Sequence, residues 1–92
     1  MKLLARVEDF FQLAHHSIVM MRFVSEDGRI RVKGKIQLRA PDGHVTDTYV
    51  VAIECVKRNL LGPPRDPYVC GIDLPPEITK VALGTEIWSL RE

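Results

Sequence analysis

What the chain lacks narrows its chemistry first. It has only two cysteines, Cys55 and Cys70, with no CxxC spacing between them, which speaks against a zinc knuckle or a redox pair. Both sit in apolar runs and read as small core hydrophobes, and the sequence does not decide whether they pair. No apolar run is long enough to cross a membrane as a helix, and the opening "MKLLARVEDFF" is interrupted by charge too soon for a secretion signal. The expectation is a cytoplasmic protein with no membrane partner. An excess of one charge is missing too: thirteen basic against twelve acidic side chains leave +1, without a general pull toward nucleic acid or anionic lipid.

Catalytic signatures are missing as well. No GxxxxGK[ST] phosphate loop is present, and Ser17, Ser25 and Ser89 lack the glycine elbow of a nucleophile. The scattered carboxylates offer no acid/base pair. Asp42, His44 and Asp47 in "DGHVTD" match neither calcium-loop nor zinc spacing. No enzyme, no cofactor and no metal site is expected.

Strands dominate what remains. At 92 residues, 46% hydrophobic and 27% charged, the chain fits one globular domain with a thin core. Leu3–Asp9 reads as a short edge strand, and Ser17–Val24 as a buried one ending at the Asp27-Gly28 hairpin signal. Arg29–Ala40 alternates: Ile30, Val32, Ile36 and Leu38 point one way, Arg29, Arg31 and Lys33 the other, with Gly34 at a bend. "APDG" (40–43) is a second turn. Val45–Arg58 mixes helical spacing with β-branched residues and reads as one strand. "NLLGPPRDP" (59–67) is a loop, Tyr68–Leu74 a strand, "EITKVALG" (77–84) one helical turn, and Thr85–Leu90 a last strand, with Ile87, Trp88 and Leu90 in or near the core. Six such strands suggest a small antiparallel barrel, in which closure removes exposed edges.

The ordered phrases "VEDFF", "SIVMMRFV", "GRIRVKGKIQL", "VVAIECVKR" and "VCGIDLPPEITKVALGTEI" span most of the chain. Together they resemble the second domain of the translational GTPases, the β-barrel of elongation factor Tu. The resemblance implies an all-β barrel of six antiparallel strands, occurring without the GTP-binding domain, and Met1 favours a free-standing protein. The family's barrel helps to hold the aminoacyl end of transfer RNA and docks on the ribosome or exchange factors. Here "LAHHS" stands without glycine at the family's first turn, Met21 and Arg22 replace a small residue and a glycine, and Lys33 precedes Gly34.

Two surfaces invite a partner. Protein contact is the leading reading, through His15 and His16 at one turn and through Leu60, Leu61, Arg65 and Tyr68 around the proline-rich loop. Adjacent histidines in extended chain face opposite sides, so they do not readily share a metal. The alternative is RNA or the ribosome, gripped by a basic stripe of Arg29, Arg31, Lys33 and Arg39, with Lys35 uncertain beyond the bend. A third reading is assembly between copies through an edge strand.

Overall fold

A computed structural model describes residues 1–25, 29–54 and 68–90. Within them lie seven strands: β1 (Lys2–Gln12), β2 (Ser17–Phe23), β3 (Lys35–Arg39), β4 (Val45–Tyr49), β5 (Ala52–Glu54), β6 (Val69–Leu74) and β7 (Glu86–Ser89). They form a single curled sheet in the order β4-β3-β7-β1-β2-β6-β5, every pairing antiparallel. The architecture is all-β, a half-barrel, and no helix occurs among the described residues. Among the described residues no helix is long and apolar enough to cross a membrane.

The expected count of six strands becomes seven because one stretch serves both edges. Val45–Glu54 pairs with β3 through β4 and with β6 through β5. Alternation of direction across the sheet makes these two edge strands run the same way, so the chain passes from one rim to the other almost without turning. Val50 is fully buried at the crossing. Its N–H donates to the Gly34 carbonyl (3.1 Å), its carbonyl accepts from Lys33 N–H (2.6 Å), and the Val51 N–H reaches the Asp73 carbonyl of β6 (2.8 Å).

β1 is the second correction. It is eleven residues long and lies mid-sheet between β7 and β2, not at an edge. Its mixed appearance comes from irregularities in register, between Leu3 and Ala5 against β7 and between Val7 and Asp9 against β2. A bulge breaks the two-residue period, and it turns both Leu4 and Ala5 inward. The hairpin expected at Asp27-Gly28 does not join neighbours, since β2 pairs with β1 and β6 whereas β3 pairs with β4 and β7. Residues 26–28 themselves lie outside the described set, as do Cys55 and the 59–67 loop.

Tight reversals do form at "LAHH", where Leu13 N–H donates to the His16 carbonyl (2.8 Å), and at "APDG". There Ala40 and His44 close the β3–β4 hairpin (2.8 Å), Asp42 Oδ1 caps His44 N–H (2.9 Å), and Gly43 takes φ +92°. The helical turn expected over 77–84 is absent. Ser17 Oγ donates to the Ile78 carbonyl at 2.6 Å, which occupies an acceptor that a helix needs for its own ladder. Paired prolines at 75 and 76 further favour extended backbone.

The core gathers Leu4, Val7, Val19, Met21, Ile36, Leu38, Ile72, Leu74 and Ile87 around Val50. Replacing Val50 with Ala is expected to cost about 2 kcal/mol, through lost burial plus a cavity. For a domain of this size that lowers the thermal midpoint by roughly 10 °C. Val51→Ala, at a residue 42% exposed, stays within about 0.5 kcal/mol of the parent. A thermal melt of the two variants side by side checks both.

Candidate functional site

The alternating series that reads as one strand from Arg29 is cut in two. Residues 29–34 form a turn, and β3 begins only at Lys35. Arg31 accepts Gly34 N–H at 3.0 Å, and Lys33 adopts φ +64°, the left-handed region that a side chain enters at a cost of roughly 1 kcal/mol. A positive φ at the third position permits this reversal. Its paired contacts to Val50 hold it in place. Ile30 still packs against the core, but Val32, expected inside, is 51% exposed.

This turn builds a concavity that a straight strand lacks. Arg29 and Arg31 project beside Lys35 around a cleft of about 270 Å³, with Leu4, Ile30 and Ile36 along its apolar side and Ser89 and Gly34 at its margin. The three cations are exposed, and among the described residues none forms an ion pair. No carboxylate is among the described residues that line the cleft. By contrast, a larger depression of about 420 Å³ is walled by Arg6, Glu8 and Arg22. Its charges are already matched: Arg22 Nε meets Glu8 at 3.2 Å, and Arg6 meets Glu86 at 3.7 Å. Of these two, the smaller cleft combines positive charge unmatched among the described residues with apolar surface.

The predicted stripe is therefore divided. Arg29 and Arg31 come together, Lys35 joins them, and Lys33 stays outside the cleft lining. Arg39 leaves altogether. Its guanidinium lies 4.2 Å from the centre of the Trp88 ring, and its Nε donates to Gln37 Oε1 at 2.7 Å. Trp88 is half-buried there, its Nε1 donating to Glu86 Oε1 at 3.1 Å. Leu4 and Ser89 were not foreseeable as lining, because the long-range β1–β7 and β3–β7 pairings carry them to the turn.

Of the predicted protein contacts, His15 is exposed at the β1–β2 turn. His16 is half-buried, its Nε2 3.6 Å from Asp73 Oδ2. Asp73 is 7% exposed, and its Oδ1 has no hydrogen-bond partner among the described residues, while its Oδ2 faces the His16 ring. Tyr68 is half-buried, and its carbonyl accepts Phe23 N–H at 2.8 Å. Leu60, Leu61 and Arg65 lie outside the described residues. Among those residues no cluster of three His, Cys, Asp or Glu is placed to hold a metal ion. Asp42 and Asp47 serve other ends, Asp42 capping its turn and Asp47 accepting from the Gln37 amide at 3.0 Å.

Comparison with protein-family models, with curated proteins and with solved structures finds no match to this chain.

Gly34 closes the cleft-forming turn where a side chain has no room. A Cβ there falls 2.9 Å from the Arg31 carbonyl oxygen, so backbone must shift. Gly34→Ala is expected to lose about 1–2 kcal/mol of stability, measured by chemical denaturation, and to broaden the amide signals of Arg31 and Lys33.

Proposed function

We propose that this chain is a non-enzymatic binding module on an elongation-factor-like barrel, and that its cleft grips single-stranded RNA. The observation that carries the reading is the grouping of Arg29, Arg31 and Lys35 over Leu4, Ile30 and Ile36, with no carboxylate among the described lining residues. Grouped cations neutralise backbone phosphates, while an apolar floor accepts the face of a base or ribose. Guanidinium planes also stack on unpaired bases, a role otherwise taken by aromatic rings, of which the described lining has none. A curled, wholly antiparallel sheet and the ordered sequence phrases support the barrel part of the reading.

A second reading, protein contact, is favoured by the β1–β2 hairpin tip. Phe11 and Leu13 are each 48% exposed there, beside His15. Two large apolar side chains at a turn are costly to leave in water without a partner.

A salt series separates the two. Binding of a fluorescent single-stranded RNA is expected to weaken with a log–log slope near roughly −2, from about three neutralised phosphates. Arg31→Glu is expected to flatten that slope and to weaken binding more than tenfold at low salt. If the RNA does not bind at low salt, or binds Arg31→Glu equally well, the cleft reading fails. Loss of a captured protein partner on Phe11→Ser with Leu13→Ser then favours the hairpin tip.

A further inference from the structure

Among the described residues β4 ends one rim of the sheet, and its pairing is with β3 alone. Which of its backbone groups face outward follows from its neighbour Val50. Both the N–H and the carbonyl of Val50 turn toward the β3 side, to Gly34 and Lys33. In an extended chain these directions alternate by residue. The even positions 46 and 48 therefore point to β3, and the N–H and carbonyl of Val45, Asp47 and Tyr49 point away from it. Val51, next in the odd series, confirms the direction by donating outward to the Asp73 carbonyl at 2.8 Å. Among the described residues nothing hydrogen-bonds to the other three from that side.

The side chains at these positions are exposed too. Val45 is 51% exposed, Tyr49 is 46% exposed, and Asp47 lies between them on the same face. Natural sheets protect an open rim with lysine, proline or a bulge. Here the rim reads "VTDTY", β-branched and regular, with a five-residue register to β3 that contains no bulge. Its one charge is the Asp47 carboxylate, held on the outer face by the Gln37 amide at 3.0 Å.

We infer that β4 is a strand-addition site for an extended protein segment that carries Lys or Arg opposite Asp47 and β-branched or aromatic residues opposite Val45 and Tyr49. Main-chain hydrogen bonds to the three outward residues supply affinity, and the alternate side chains set specificity. Charge complementarity selects this occupant over a second copy of the chain. An antiparallel β4 pair that matches Val45 with Tyr49 places Asp47 directly against Asp47, and like charges directly opposite are unfavourable. A basic residue turns that same position into the centre of recognition. The site is separate from the cleft and does not rest on the RNA reading.

The test uses a fluorescein-labelled peptide, Thr-Val-Thr-Lys-Thr-Val-Thr, and its twin with Glu in place of Lys, titrated into the full chain. Saturable binding of the Lys peptide, with the Glu peptide at least roughly tenfold weaker, is expected. Asp47→Lys is expected to reverse that preference. Asp47→Pro removes an outward donor without touching a bond to β3 and is expected to abolish binding of both peptides. Val45→Pro serves the same purpose if Asp47→Pro melts more than a few degrees below the parent. Equal binding of the two peptides, undiminished binding by a folded proline variant, or no binding of the Lys peptide overturns the proposal. So does a concentration-dependent dimer that Asp47→Asn strengthens and Asp47→Pro dissolves, because the rim is then occupied by a second copy.

Discussion

Two hydrogen bonds between Val50 and the turn that leads into β3, followed by one from Val51 to β6, hold the opposite rims of the sheet together. Everything else in the architecture leans on that crossing. A curled sheet of this size has too little area to cover its own concave side, and its apolar residues gain burial only if the rims stay near each other. The chain solves this with a stretch that changes neighbours without changing direction. The side chain at the change-over is fully buried, so the point of closure is also part of the core.

The same crossing shapes the candidate binding surface. Lys33 and Gly34 are the residues that Val50 bonds, and they belong to the turn that carries Arg29 and Arg31 to the cleft. Cations on a loose loop lose entropy when they order around an anion. These are attached to a junction that is hydrogen-bonded to Val50, at the price of a left-handed Lys33. Backbone conformations of this kind collect where a fold needs a side chain in an unusual place.

How legible all this was depends on the range of the contacts involved. Patterns local to one strand read correctly: Ile36 and Leu38 inward, the "APDG" reversal, the preference of Val45–Tyr49 for strand, and Ile87 in the core. The failures have a common cause. Alternation continues smoothly from Arg29 into β3, but the bonds of Lys33 and Gly34 to Val50 stop the strand short of it. β1 looked like an edge because its bulges scramble the period, and the helical turn after Pro76 is lost when Ser17 takes the Ile78 carbonyl. In each case a partner distant in sequence overrides a sound local preference. The basic residues were identified as a set, but the turn sorts them, keeping Arg29 and Arg31, admitting Lys35 and sending Arg39 to Trp88.

The position of β7 has a bearing on how the molecule comes together. It is inserted between β3 and β1, so without it the ladder falls into two pieces, β4-β3 and β1-β2-β6-β5. Those pieces share no other strand pairing, and β7 is the last strand in the described chain. Among the described strands the sheet therefore becomes continuous only when β7 inserts between strands that precede it in the chain. Assembly of that kind depends on distant contacts and belongs to the slow, milliseconds-to-seconds regime of β-rich domains. Until it finishes, the facing rims of β3 and β1 are open to whatever strand arrives first.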